Sequence, residues 1–392
     1  MSNIATTDGW DDRALLDLVT IKSGQVDPRE GAFRELPLIA PDHLQSRTGR
    51  LIKKETAAAQ GAISGKYLVR PGDVIYSKIR PYLQKAYKCD FVALCSADMY
   101  PLTPRPGVDS SFILHSLLSR DFTNFVVSVS ARSGIPKVNR EELAEYRLRV
   151  PSEAEQRAIG QELDAVDDLI ATLERLIAKK QAIKQGMMQQ LLTGRTRLPG
   201  FDAAWHSAKL GSITTVTMGQ SPAGYTYNSD GRGLPLIQGK ADIRDRVTFD
   251  RIWTTEPTKT CKEGDVLLTV RAPVGYTAIV SKPSCLGRGV CAISTPRDNS
   301  FLFQALVYAE SAWSLYEQGS TFTAVNSNEV RSFAIQWPSD ASERAAIAAA
   351  LDDADSVLRT LQDRLTKART VKTGMMQQLL TGRMRLPVEV AP

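Results

Sequence analysis

GMMQQLLTGR fills residues 186–195 and recurs unchanged at 374–383, and the copies run on to Arg197-Leu198-Pro199 and Arg385-Leu386-Pro387. A chain of 392 residues that repeats a long segment 188 positions later, close to half its length, is built as two similar halves.

Outward from that core the likeness continues. The same shift places Ile159 on Ile347, Leu163 on Leu351, Leu173 on Leu361, Lys184 on Lys372 and Met187 on Met375. One face of the first copy reads Ile159, Leu163, Val166, Ile170, Leu173 and Ile177. The same face of the second reads Ile347, Leu351, Ala354, Leu358, Leu361 and Leu365. Steps alternating between four and three residues keep these side chains facing one partner, as in the seam of a coiled coil. Both copies interrupt the seam at one place, with Lys180 and Lys184 against Ala368 and Lys372, before Met187/Leu191 and Met375/Leu379 resume it.

Pro151-Ser152 with Glu155 reads as a capping box at the first helix start, and Pro338-Ser339-Asp340 with Glu343 offers a similar start for the second. Gly194 and Gly382 suit left-handed C-terminal caps, and the prolines beyond them stop the helices. Each helix then has about 40 residues, or roughly 60 Å at 1.5 Å per residue. An apolar stripe that long needs a partner, and the natural one is the other copy, packed antiparallel. A glycine inside a helix costs about 1 kcal/mol, so Gly186 and Gly374 predict close packing or a kink. On the heptads alone, a coiled coil that only dimerises the protein fits equally well.

The remaining sequence forms two blocks of domain size, about 1–150 and 202–337. They are weakly related. GDVIYSKIRP (72–81) matches GDVLLTVRAP (264–273), Leu36-Pro37-Leu38-Ile39 matches Leu234-Pro235-Leu236-Ile237, and Val138-Asn139 matches Val325-Asn326. Short β-branched and aromatic runs broken by Gly, Pro and Asp predict mixed α/β blocks with many strands, and each GDV reads as a turn entering a strand. The helices are near copies while the blocks have diverged, which suits one scaffold carrying two different readers.

A net charge of +6 permits nucleic-acid binding without demonstrating it. The N-terminal MSNIATTDGWDD is polar and acidic, and no secretory signal or transmembrane run is read, so a cytoplasmic protein is expected. Five cysteines (89, 95, 261, 285 and 291) form no CxxC and predict reduced thiols. His43, His115 and His206 lie far apart without a metal-binding spacing. Gly61 to Tyr67 looks like a phosphate loop only superficially: its glycine spacing is one short, and Tyr67 stands where Ser or Thr should hold magnesium. No nucleophile elbow, dinucleotide fingerprint or methyltransferase motif occurs, so no catalytic residue, metal or cofactor is assigned to this chain.

What remains is a set of basic and amide side chains at matching places in the two blocks. Lys78, Arg80 and Lys85 flank the first GDV strand, among Tyr76, Tyr82 and Tyr87; Arg271 and Arg288 belong to the second block. Lys137, Asn139 and Arg140 follow the Ser133-Gly134 turn, and Ser320, Thr321, Thr323 and Asn326 follow Gly319. Arg can bridge guanine O6 and N7, Asn can pair with adenine N6 and N7, and Lys and hydroxyls hold phosphates. Taken singly, each also reads as a solvated charge or a turn-stabilising amide. Recurrence in both blocks favours the group more than any member.

The chain resembles the specificity subunits of type I restriction–modification enzymes, over essentially its whole length. The resemblance rests on KQGMMQQLLTGRTRLP and its second copy, on GDVIYSKIRPYLQKAY and GDVLLTVRAPVGYTAI, and on the SGIPKVNREEL and GSTFTAVNSNEV turns. It implies two mixed α/β target-recognition domains separated by two long helices in an antiparallel coiled coil, with pseudo-twofold symmetry. The segments would be a first domain at 1–150, a central scaffold helix at 151–200, a second domain at 201–337 and a C-terminal scaffold helix at 338–392. Ile159, Leu163, Ile170, Leu173, Ile347, Leu351, Leu358 and Leu361 would pack the scaffold. The implied function is sequence-specific reading of a bipartite, asymmetric site on double-stranded DNA. Two methyltransferase subunits carrying S-adenosylmethionine and two restriction–translocation subunits using ATP and magnesium would dock on the chain, with no membrane involved. A recognition subunit of a modification-only or other phage-defence complex, and a coiled-coil adaptor that binds only protein, are the alternatives.

Overall fold

The computed structural model describes residues 9–130, 135–316 and 324–387. The chain folds as two compact units. One joins Met1–Arg175 to Asp363–Pro392, and the other is Leu176–Gln362. Compactness therefore divides the chain inside both long helices, Glu153–Leu191 and Ala341–Leu379, rather than at residues 150, 200 and 337. Each unit holds one globular block together with the start of one helix and the end of the other.

Most seam residues are buried as their spacing requires. In the first unit Ile159, Leu163, Ile170 and Leu173 are buried, and Leu379 joins the same core; in the second Ile177, Leu191, Ile347, Leu351, Leu358 and Leu361 are buried. Val166, Met187, Ala354, Leu365 and Met375 are half-buried, and Met188 is buried in place of Met187. Burying a Leu or Ile side chain contributes about 1.5–3 kcal/mol, so the seam is a main source of helix stability. The seam lysines are explained by ion pairs. In the first unit both Asp167 carboxylate oxygens accept from Lys372 Nζ at 2.7 Å. In the second Asp355 accepts from Lys184 Nζ at 2.5 Å. Lys180 is exposed and Ala368 is buried.

The helix entrances differ from the sequence reading in one respect. Ser152 Oγ accepts from Glu155 N and Asp340 Oδ1 accepts from Ser342 N, so both entrances are capped. The box glutamates, however, reach the exit arginines of the other copy. Buried Glu155 accepts from Arg385 Nε and NH2 at 2.9 and 2.6 Å, and buried Glu343 accepts from Arg197 at 2.5 and 2.7 Å and from Trp205 Nε1 at 3.2 Å. Every one of these pairs takes one residue from each copy, and residue numbers rise along one helix as they fall along the other, so the helix segments run antiparallel within each unit. Gly194 and Gly382 both adopt φ +70° and provide the left-handed caps. Gly186 and Gly374 do not mark close packing: both are exposed, and a Cβ added at either meets nothing within 4 Å.

In the first unit, strands Asp11–Ala14 and Arg147–Val150 pair where the chain enters and leaves the globular block. Inside it, Val19–Ile21, Met99–Pro104, Val74–Ser77 and Ala86–Lys88 form an antiparallel sheet, and Leu38–Ile39, Ala93–Cys95 and Tyr67–Val69 a second one with a parallel first pair. In the second unit Trp205–Lys209 pairs with Ala334–Pro338, and sheets of six and five strands follow. Both GDV strands, Val74–Ser77 and Val266–Thr269, are buried at all four residues.

Helices seat each block on the scaffold by the same device. On the first long helix Asp164 accepts from Ser111 Oγ at 2.6 Å, His115 Nε2 at 2.8 Å and Lys88 Nζ at 2.8 Å. Its counterpart Asp352 accepts from Ser300 Oγ and from Gln304 Nε2 at 2.9 Å. Burial alone would push the Asp164 carboxyl up, but these donors outweigh it and hold it well below the usual carboxylate range. All five cysteines are buried free thiols, and burial pushes those of Cys95, Cys261 and Cys291 up to about 12. Among the described residues no group of His, Cys, Asp and Glu could hold a metal ion, and no helix is long and apolar enough to cross a membrane.

Candidate nucleic-acid interface

In the first block the chain leaves strand Val74–Ser77 at Lys78 and meets the segment before Asn139. Ile79 and Lys137 form an isolated antiparallel bridge, Arg80 N donates to Pro136 O at 2.8 Å, and Val138 N donates to Lys78 O at 3.0 Å. This pairing brings Lys78, Lys137 and Arg140 together around Tyr100. Lys78 Nζ lies 5.5 Å and Arg140 Cζ 6.0 Å from the ring centroid, within the reach of cation–π attraction. The Lys78 ammonium is pushed below its ordinary pKa, first by burial and then by Lys137 and Arg140, with Asp98 opposing. Three clustered cations of which two are exposed form a surface that attracts anions.

Arg80 is exposed and sits at φ +49°, ψ +57°, a left-handed conformation unusual for a residue with a side chain. Lys85 faces inward instead: its Nζ donates to Pro41 O at 2.5 Å, which ties two turns of the block together.

The two asparagines have a folding role that explains their recurrence. Asn139 Oδ1 accepts from Glu142 N at 2.7 Å while Glu142 returns to Asn139 N, and Asn326 Oδ1 accepts from Glu329 N at 3.1 Å while Glu329 returns to Asn326 N. These are capping boxes for the short helices Arg140–Ala144 and Ser327–Ser332. Asn139 Oδ1 thereby spends one of its two lone pairs on the cap, and Asn326 Oδ1, which also accepts from Asn328 N, spends both.

The second block repeats the bridge at Arg271 and Ala324, with Val325 N donating to Val270 O at 2.9 Å. Ser320, Thr321 and Thr323 lie outside the described residues. Arg271 and Arg288 are exposed and share a cleft of about 170 Å³ with Ser221, Gln238, Gly239, Lys240, Ala272 and Gly289. Lys240 Nζ lies 3.7 Å from the Tyr276 ring centroid, and Arg246 Cζ lies 4.9 Å from the same ring. Lys240 and Gln238 were not singled out from the sequence. The one available signal was the position of QGK directly after the LPLI run shared by both blocks.

A family model described as "Type I restriction modification DNA specificity domain" matches residues 7–185 and 204–368. The chain is 28% identical over 346 residues to a putative type I restriction enzyme MjaX specificity subunit of Methanocaldococcus jannaschii, covering 82% of this chain and 80% of that one. The crystal structure of the HsdS subunit from Thermoanaerobacter tengcongensis is similar at a TM-score of 0.50 and 26% identity, over 96% of this chain and 98% of that one. The type I restriction–modification S subunit from M. genitalium gives a TM-score of 0.67 at 14% identity over 97% and 98% of the two chains, a likeness of fold.

Proposed function

The chain belongs to the type I restriction–modification DNA specificity family, and from that premise we propose that its two blocks each read one half of a bipartite, asymmetric site on double-stranded DNA. The observation that carries this reading is the contrast between the halves. The scaffold pairs Glu155–Arg385 and Asp167–Lys372 recur as Glu343–Arg197 and Asp355–Lys184, while the cations of the blocks do not: half-buried Lys78 with exposed Arg80, Lys137 and Arg140 in one, exposed Arg271 and Arg288 in the other. Readers of different sequences on a common mount have this form. Arg and Lys supply phosphate grip and base-edge donors. Asn139, Asn326 and Lys85 position the loops that carry them, and Ser320, Thr321 and Thr323 complete the candidate set in the second block.

The chain itself forms and breaks no bonds in this reading. It places a methyltransferase subunit carrying S-adenosylmethionine over a base flipped from the stack. Restriction–translocation subunits that use ATP and magnesium join the same assembly, in the cytoplasm where the DNA lies. Two modification subunits would need two equivalent docking surfaces, and exposed apolar residues at repeat-related scaffold positions support such a pair. Leu169 and Val371 are exposed apolar residues in the first unit, and their repeat partners Val357 and Ile183 are exposed in the second.

The test is a block exchange. Residues 201–337 are replaced by the same block of a related chain, and methylated adenines are sequenced in cells that also carry the methyltransferase. One half of the methylated site should change and the other persist; a change in both halves refutes the modular reading. A protein-only adaptor would leave the methylation pattern independent of either block.

A further inference from the structure

The cleft in the second block arises from strands far apart in sequence. Strand Leu234–Ile237 runs parallel to Ser284–Leu286, with Ile237 opposite Leu286, so both chains leave the sheet at the same edge. That sets Gln238 and Lys240 beside Arg288. Strand Val266–Thr269 runs antiparallel to Val290–Ser294, with Thr269 opposite Val290, and Val270 N donates to Gly289 O at 2.9 Å. Arg271 is thereby brought to the same edge. A Cβ on Gly289 would lie 2.1 Å from Gln238 O, so only glycine lets the two turns close to form the floor.

The lining carries three cations and no carboxylate. Arg and Lys are donors only, and Ser221 Oγ already accepts from Arg288 N at 3.1 Å. Three donor-only cations against the one Gln238 amide favour a group that presents acceptors to them. Guanine offers N7 and O6 together in the major groove, and a phosphate offers its oxygens, whereas adenine would turn the N6 donor toward the cations. At the matching corner of the first block the Pro41 carbonyl instead accepts from Lys85.

Resting on the DNA reading above, we propose that this cleft holds an acceptor-only DNA group, the N7/O6 edge of a guanine or a backbone phosphate. Lys240 joins Arg271 and Arg288 in holding the second half of the site, and with a guanine it also helps to specify it. Gln238 shapes the wall and adds an amide donor.

The experiment uses the complex with its methyltransferase subunit and duplexes carrying the methylated sequence. Lys240→Ala, Arg271→Ala and Arg288→Ala are made singly and together, with unchanged melting temperature as the check on folding. A guanine contact predicts roughly a tenfold to hundredfold loss on the cognate duplex. The same loss should follow from 7-deazaguanine at one position, with no further loss when both changes are combined. Arg288→Lys, which keeps the charge but not the fork, should not rescue it. A phosphate contact predicts equal weakening on cognate and unrelated duplexes, a log–log salt slope flatter by about one per cation removed, and rescue by Arg288→Lys. Wild-type affinity, salt slope and methylated sequence in the triple variant overturn the proposal alone. A wild-type complex that binds no duplex overturns the DNA reading itself.

Discussion

Lys372→Ala should destabilise the first unit far more than an ordinary surface ion pair would allow. The Lys372 and Asp167 side chains are 10% and 17% exposed, and the ammonium contacts both carboxylate oxygens at 2.7 Å. Deleting the lysine leaves a carboxylate in a site mostly shielded from water. Breaking a buried pair from one side costs about 3–5 kcal/mol. Asp167 keeps some solvent, so about 3 kcal/mol is expected here. For a unit of about 200 residues that corresponds to roughly 6–12 °C in melting temperature. Replacing both partners, as Lys372→Met with Asp167→Leu, removes the stranded charge and should return most of the loss.

The second unit supplies an internal control. Asp355 is 30% exposed, and its other carboxylate oxygen accepts from Gln304 Nε2 at 3.0 Å. Lys184→Ala therefore leaves a carboxylate with a remaining donor and more water, and should cost about half as much. Hydrogen exchange in rising urea assigns each loss to its own unit, which a single global transition cannot do for a protein of two units. A cost for Lys372→Ala below about 1 kcal/mol, the level of an exposed pair such as Arg157–Glu153, would refute the reasoning. So would a larger cost for Lys184→Ala than for Lys372→Ala.

Asp164 gives a pH dependence whose sign is fixed. Its folded carboxyl lies below the unfolded value, so its stabilisation is complete above the ordinary carboxylate range and is lost as pH falls from about 4 toward the folded value. Asp164→Asn should lower stability at neutral pH and narrow its deficit from the wild type below pH 4; parallel acid-unfolding curves would contradict the assignment. Gly186→Ala and Gly374→Ala should each stabilise the free chain by about 1 kcal/mol, because the added Cβ meets nothing and helix propensity improves. An unchanged or lower melting temperature would show that the open space is not free.

Legibility followed locality. Ile159, Leu163, Ile347 and Leu351 were readable because a helix writes its buried face into the sequence at fixed spacing. Spacing alone makes Lys180 and Lys184 a single interruption of that face. Which lysine is paired depends on the facing helix, where Asp355 meets Lys184. Asn139 and Asn326 recur at helix entrances, where a capping box needs a short polar side chain three residues before a glutamate. Recurrence in both halves therefore signals shared folding as readily as shared function. Lys240 was not legible because it meets Arg271 and Arg288 only when three distant strands end at one edge. The charge pattern along the chain carries no trace of that meeting.

The identity of GMMQQLLTGR in both copies needs a cause beyond packing. Each unit pairs a segment of one copy with a segment of the other: Asp167 with Lys372, and Lys184 with Asp355. Complementary pairs of that kind can drift independently, because reversing both charges in one unit leaves the other untouched. Packing therefore does not require the two copies to match. It requires still less of Gly186 and Gln189, or of Gly374 and Gln377, which are exposed. Recent duplication alone would have left the globular blocks equally alike, and they are not. Identity at exposed positions, beside blocks that have diverged, follows when one kind of partner must fit the same surface twice. In the proposed complex Gly186 and Gly374 would keep a helix face open for that partner, at a cost of about 1 kcal/mol each to the free chain. On that proposal Gly186→Ala and Gly374→Ala should weaken binding of the methyltransferase subunit while stabilising the chain alone, and unchanged affinity in a titration would refute it.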